Sequence, residues 1–378
     1  MKIIAFMIIV FAAIQLQKVV FTALGLKKLE YMCGFSENEA HEGDEVFLVE
    51  TVHNKKLLPV PWLKVDIHSS RWLEFAGVRS VITQDNRRVT SSFLLKSYQK
   101  VTRRWNLRCL KRGVFFTENV TLIWGDILGI GNDSAAVPVN ARLIVYPEIL
   151  NLEDMFIPAN YVPGDTIVKR WIVDDPFMVS GAREYTERDP MNRVHWQATA
   201  RHGKLMVRKS DFTSQLSLTV ILNMQSVEYE YDRVMYRDKA ELGIKVAATV
   251  LDRAARMGIP ARLISNGHTV HDDKNMVYSS EAGGIEHIRG LMKILAELEL
   301  KNLKDFDNFL EGVIPDIANS QVVLITSYMN RQTADSARYL RQNGNAVKIV
   351  LLDYISEAGK LPGDIDLFML SGVDNIYA

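Results

Sequence analysis

The amino-acid sequence predicts an α/β plus all-β chain: an N-terminal membrane helix, an antiparallel β-sandwich, then a doubly wound α/β domain. The first observation behind this is an uncharged run from Ile3 to Gln17, IIAFMIIVFAAIQLQ, which resumes after Lys18 as VVFTALGL to Leu26. The second is a series of short alternating segments between residues 44 and 150. The third is a change of period from Leu216 onward, where near-continuous apolar runs alternate with helical patterns. At 378 residues the chain exceeds one ordinary domain, and 48% hydrophobic residues suffice for well-formed cores. The boundaries read as 1–26 for the anchor, 37–150 for the β-sandwich, 151–215 for a polar junction, and 216–378 for the α/β domain.

A spanning helix needs about 20 apolar residues, so the first segment is long enough once Lys18 carries its ammonium out along its alkyl stem. A signal peptide would share the charged Lys2 and the apolar core, but no clean small-x-small cleavage pattern follows; a helix lying in the membrane interface is the other competing reading. An uncleaved, single-pass anchor in the cell membrane is expected. Lys18, Lys27 and Lys28 outnumber Lys2 plus the amino terminus, which by the positive-inside rule places the soluble part in the cytoplasm.

In the β-sandwich region, DEVFLVETV alternates apolar and polar residues, and LPVPWLKVDIHS is punctuated by Pro59 and Pro61. VTSSFLLKS, RRWNLRCL, GVFFTENVTLIWG and ARLIVYPEI follow at short intervals. No catalytic constellation lies there. Beyond it, LSLTVILNM reads as a buried strand and is followed by a helix with Ile244, Ala247, Leu251 and Ala254 on one face. The pair repeats with ARLISN and the stripe Ile285, Ile288, Leu291, Met292, Leu295. DFDNFLEGVIPDIA, the strand QVVLITS, a helix with Ala334, Ala337 and Leu340, and the strand VKIVLLD complete the pattern.

Lys+Arg and Asp+Glu both number 45, so no global electrostatic attraction to nucleic acid is expected. Cys33 and Cys109 are the only cysteines, which excludes a disulfide framework and a cysteine-based zinc site of the usual spacing. The stretch His268-Thr-Val-His271-Asp272-Asp273 holds ligand-type residues, but without a supporting motif it reads as a solvated loop.

The densest polar stretch runs from Gly181 to Asp211, GAREYTERDPMNRVHWQATARHGKLMVRKSD. Asp189-Pro190 predicts a helix start, Asp as N-cap and Pro at the first helical position. From there Arg193, Gln197, Ala200 and Arg201 fall on or near one face, with Trp196 and Thr199 on an adjacent one. A hydrolase reading would take Asp189 and His195 as acid and base with Arg193 as an anion clamp, but no nucleophile accompanies them. A structural reading has Trp196 anchoring the segment while Glu184, Arg193 and Arg201 pair among themselves. A third reading turns part of the charged set toward a partner protein, because Arg and Trp dominate binding hot spots.

The pattern Arg183-Glu184-Tyr185, Asp189, Arg193, Trp196 and Ala200-Arg201 resembles the signature of the domain of unknown function 58 family. Lys111-Arg112-Gly113, the segment Asp126 to Gly129, and Tyr146-Pro147 resemble its upstream landmarks. The resemblance implies a C-terminal half similar to a von Willebrand factor A domain and no enzyme activity or cofactor. It also implies work with a MoxR-type AAA+ ATPase, sometimes beside a transglutaminase-like membrane protein. Members often carry two anchoring segments; one is found here. A von Willebrand-type cation site uses Asp-x-Ser-x-Ser after the first strand, where this chain has Asn223-Met-Gln225-Ser226-Val227. With Asn223 and Gln225 in place of a carboxylate and a hydroxyl, the metal site is expected to be degenerate. Ser226 is one residue out of register and Ser327 stands isolated. The expected protein is thus a membrane-anchored, non-enzymatic adaptor or scaffold, with a metal-dependent adhesion-type binding domain as the alternative and a hydrolase as a remote one.

Overall fold

The computed structural model describes residues 2–152, 156–158, 182–185, 196–208, 217–230, 232–352 and 366–370. The chain divides into two compact units, Met1–Glu148 and Ile149–Ala378.

The first unit opens with helix α1 (Lys2–Leu24), none of whose residues is buried. By length and composition it is able to cross a membrane. Ten strands follow: β1 (Leu29–Phe35), β2 (Glu39–His41), β3 (Glu45–Asn54), β4 (Val60–Ser70), β5 (Leu73–Phe75), β6 (Ser80–Thr83), β7 (Asn86–Leu95), β8 (Lys100–Cys109), β9 (Gly113–Gly125) and β10 (Asn132–Tyr146). They form two sheets, β1-β3-β8-β5 and β2-β10-β9-β4-β7-β6. One core holds side chains from both, among them Leu48, Leu107, Leu63, Phe93 and Leu143. Strict alternation drives this: in β7 every second residue from Arg87 to Leu95 is buried, the period-2 pattern of a sheet with one face inward. Prolines sit where the ladder slips, between Val60 and Leu63 and after Pro138, because Pro has no N–H to give. The pairing is antiparallel except for β2, which runs parallel to β10.

In the second unit β11 (Phe156–Pro158), β12 (Ala182–Glu184), α2 (Trp196–His202) and β13 (Met206–Arg208) come first. The alternating part contains β14 (Ser217–Leu222), β15 (Asp232–Arg233), α3 (Arg237–Met257), β16 (Ala261–Ser265), β17 (Gly267–Thr269), β18 (Val277–Tyr278), α4 (Ile285–Glu297), β19 (Leu298–Asn302) and α5 (Phe306–Val313). A short 3-10 turn (Ile314–Asp316), β20 (Ser320–Thr326), α6 (Arg331–Gln342), β21 (Ala346–Leu351) and β22 (Asp366–Leu370) complete it. The main sheet has the order β11-β22-β21-β20-β14-β16-β18. Its five inner strands are parallel and its two edges antiparallel. Every residue of β14 and β20 is buried, as expected where helices cover both faces. Ile221, Val322 and Leu324 pack with α5 and α6 through Phe306, Phe309 and Leu340. On the other face Gly243 of α3 lies so close to Leu222 and Leu352 that a Cβ there would press on them.

Several elements depart from the sequence expectation. β1 and β22 belong to the fold although neither is marked by a clear period, and the two-stranded β12-β13 and three-stranded β15-β19-β17 sheets are additional. His268 is also a correction: it is 3% exposed on β17, not in a solvated loop, while His271 is exposed and faces the Glu297 carboxyl at 3.6 Å.

Candidate functional site

In a doubly wound sheet the crevice for a ligand lies beyond the carboxyl ends of the strands where the order reverses. Here that point is between β14, which opens the alternating part, and β20. Asn223 follows β14, and its side chain is engaged at both ends: Oδ1 accepts from Gln225 N at 2.9 Å and Nδ2 donates to Thr326 Oγ1 at 3.1 Å. Gln225 Oε1 accepts from Phe306 N at 2.6 Å and from the Tyr328 hydroxyl at 3.3 Å; its Nε2 donates to the Glu230 carbonyl at 2.7 Å. Asn266, after β16, accepts from Met224 N at 2.9 Å and donates to the Lys304 carbonyl. Burial pushes the Tyr328 phenol well above its ordinary value, so it remains a donor.

The loop that follows closes on Glu230, which is 4% exposed. Its carboxyl accepts from Ser226 N at 2.5 Å, from Ser226 Oγ at 2.9 Å and from Met235 N. Asn302 Nδ2 donates to its backbone carbonyl at 3.1 Å. A second cluster ties the helix starts together: Asp307 accepts from Asn330 Nδ2 at 2.7 Å and from Thr333 Oγ1 at 2.8 Å, and Asn330 also donates to Glu228. Asn330 caps α6 by accepting from Thr333 N. Ser327 Oγ is buried here without a hydrogen-bond partner among the described residues.

The side-chain oxygens of Asn223, Gln225 and Ser226 thus each accept from a protein donor, and no cluster of three or more His, Cys, Asp or Glu able to hold a metal occurs among the described residues. Outward the edge exposes Tyr229 (80%) and Met235 (66%), with the exposed Arg233, Arg237 and Asp238 beside them. Beside it an open groove of about 720 Å³ runs between α5 and α6, lined by Glu228, Glu311, Asn330, Asp335 and Tyr339.

The signature residues fall into three groups. Arg183 and Glu184 lie on β12, where they pair with Val207 and Met206 of β13, and Tyr185 N donates to the Leu205 carbonyl at 2.8 Å. Asp189, Arg193 and His195 lie outside the described residues, and so does the expected helix start. Trp196 and Arg201 lie on α2, and Thr199 Oγ1 of that helix accepts from Met206 N at 3.0 Å. Trp196 is 67% exposed, and Arg201 is exposed as well. The residues that sequence reading missed are Glu230, Asp307, Asn330, Thr326 and Asn266. The one available signal was Asn330, three positions before Thr333 at a helix start.

These elements define a mixed α/β protein with an apolar N-terminal helix, a two-sheet β unit and a doubly wound unit. Residues 181–367 match the family described as protein of unknown function DUF58, and that match supports placement in the family. No curated protein matches the chain. Among solved structures, a non-cellulosomal cohesin from Archaeoglobus fulgidus is 14% identical, covering 34% of this chain and 94% of its own, with a TM-score of 0.23. A CARDB domain from Pyrococcus furiosus is 10% identical over 30% of this chain and 90% of its own, with a TM-score of 0.20. A cohesin from a Clostridium thermocellum cohesin–dockerin complex is 8% identical over 32% and 99%, with a TM-score of 0.22.

Proposed function

We propose that this protein is a membrane-anchored, non-enzymatic adaptor whose α/β unit, read as von Willebrand factor A-like, docks a partner protein, a MoxR-type AAA+ ATPase. One observation carries the reading: the loop after β14 closes its polar groups on itself through Glu230 and turns Tyr229 and Met235 outward. A sheet edge whose oxygens are internally satisfied has little to offer an ion. Exposed Tyr and Met are side chains that protein interfaces use as anchors. The exposed Trp196 and Arg201 on the signature helix extend the same reading to the motif itself. The von Willebrand-like reading is supported by the sheet order. Numbering β14, β16, β18, β20, β21 and β22 from one to six gives 3-2-1-4-5-6, with Asn223 and Gln225 where cation ligands would stand. A metal-dependent adhesion-type domain is less well supported, because a cation would have to displace Gln225 N, Phe306 N and Tyr328 from those oxygens. A transglutaminase-like membrane protein is a further partner under the same reading, and a cytoplasmic position for the soluble part follows from the flanking lysines.

Pull-down of a MoxR-type ATPase from the same genome with the full chain in detergent tests it. Tyr229→Ala, Met235→Ala and Trp196→Ala, each with an unchanged melting curve, are expected to weaken ATPase binding about thirtyfold, the loss of about 2 kcal/mol that marks a hot-spot side chain. Retention equal to wild type by all three ends the docking reading.

A further inference from the structure

The N-terminal helix has a polar break, and the β unit is built around it. Gln15, Gln17 and Lys18 interrupt a mostly apolar α1; Gln15 is exposed, while Gln17 turns to the β unit. Gln17 Nε2 donates to Asp126 Oδ2 at 2.6 Å, and its Oε1 accepts from Ile127 N at 3.4 Å. The alkyl stem of Lys18 lies against Gly131, so close that a Cβ there would overlap it. Farther along, Trp124 Nε1 donates to the Thr22 carbonyl at 2.9 Å, and the indole sits where a Cβ of Gly25 would be. The turn joining β9 to β10 thus runs back along the helix from Leu24 to Gln17, about 10 Å at 1.5 Å per residue.

That turn carries three exposed apolar side chains, Ile127, Leu128 and Ile130, at 60%, 57% and 57%. Two further loops meet at the same end. Lys56, in the β3–β4 loop, donates to the Gly25 and Lys27 carbonyls at the end of α1. The β7–β8 loop bonds to the β3–β4 loop through Tyr98 N and the Lys56 carbonyl. These loops expose Leu57 (74%) and Tyr98 (65%) beside the exposed Lys27, Lys28 and Lys96 and beside Lys55, which is ion-paired with Glu30.

We propose that this end of the β unit is a membrane-contact surface: the β9–β10 turn, with Leu57 and Tyr98, sits in the headgroup–acyl boundary of the bilayer that α1 enters, and the ring of lysines faces anionic headgroups. The inference rests on the anchor reading of α1. The uncharged run Ile3–Gln17 is about 22 Å long at 1.5 Å per residue, short of a hydrocarbon core of about 30 Å. The helix spans the core only when Gln17 and Lys18 lie at or below its surface, where a free amide would be costly. Asp126 and Ile127 satisfy that amide, and a turn lying at this depth must itself be apolar on its outer side. Ile127, Leu128 and Ile130 make it so. Tyr98 and the lysines are the residue types that favour the boundary.

The test uses the full chain reconstituted in phosphatidylcholine–phosphatidylglycerol vesicles, with Cys33→Ser and an environment-sensitive fluorophore on Leu128→Cys. A second sample carries it on Asp85→Cys, an exposed site at the opposite end of the same strands. Flotation reports insertion of the chain. Expected are co-flotation, a blue-shifted emission at position 128 quenched by nitroxide-labelled lipid, and no such quenching at position 85. A chain that floats while position 128 behaves like position 85 overturns the proposal and leaves the anchor standing; a chain that does not float overturns both.

Discussion

Glu50 of the first unit and Glu230 of the second are both buried, and they are held in different ways. Glu50, 0% exposed, sits in the core between the two sheets of the β unit. It accepts from Ser91 Oγ at 2.9 Å, Trp105 Nε1 at 3.2 Å and the Tyr31 hydroxyl at 3.3 Å, all side-chain donors. Desolvation still raises its pKa, the donors of Ser91 and Trp105 and the nearby Arg103 offsetting only part of it. The same burial pushes the neighbouring Cys33 thiol up to about 12 and the Tyr31 phenol higher still. Glu230, by contrast, closes a loop at a sheet edge and accepts two backbone amides besides one hydroxyl. A core glutamate held by side chains can be replaced by a residue that fills its place and still accepts from Ser91 and Trp105, whereas one held by backbone amides is the acceptor that lets its loop exist.

The largest effect is expected where the backbone depends on the carboxyl. Glu230→Ala strips acceptors from Ser226 N and Met235 N, and orphaned amides cost about 1–3 kcal/mol each, so a loss of about 3 kcal/mol is expected. Urea unfolding followed by far-UV circular dichroism, which weights α3 to α6, measures it. Glu230→Gln keeps an acceptor and should lose less than half as much. Equal losses for the two variants would show that the loop is held by something other than these amides.

Glu50 sharpens the comparison through pH. A carboxyl whose folded pKa lies above its ordinary 4.5 binds a proton more readily folded than unfolded. Its contribution to stability is therefore present in full below about 4.5 and lost as pH rises through the folded value. Glu50→Gln removes that loss, so the variant's unfolding temperature relative to wild type should climb as pH rises from 4.5 toward neutral, read by tryptophan fluorescence of the β unit. A difference that stays flat with pH would mean that Glu50 is not the group responsible. Glu230→Gln serves as the control for the other unit.

How legible all this was in the sequence follows the same division between side-chain pattern and long-range contact. The stripe Ile244, Ala247, Leu251, Ala254 is buried throughout, and so is β14, because period and burial are local properties. Strand β1 escaped because LEYMCGF follows directly on the apolar helix and is only half-buried, without a clean alternation. Strand β22 escaped because DLFML is five residues with no period of its own. At the site, Asn223 and Gln225 could be placed by their position after the first strand. Their partners could not: Thr326 is 103 residues from Asn223, and Phe306 is 81 from Gln225. Only the folded sheet brings these together, and no spacing rule connects an amide after one strand to a hydroxyl on another.

The smallest effect tests whether the site's network stands in for ordinary helix capping. At the start of α5 the Asp305 side chain accepts from Asn308 N at 3.2 Å, a bond at the surface, while the buried Phe306 N is satisfied by Gln225 Oε1. The cap is thus divided between a local residue and one from the β14 loop. Replacing a capping Asp by Ala typically costs about 1 kcal/mol. Here water can reach Asn308 N, and Gln225 keeps the buried amide, so Asp305→Ala should fall at or below that figure. Gln225→Ala exposes no amide to water and should cost more. Urea midpoints of the two single variants and the double variant decide it. If Asp305→Ala is the more damaging of the pair, the local cap carries α5, and the Gln225 network is an ornament of the fold that the loop could lose.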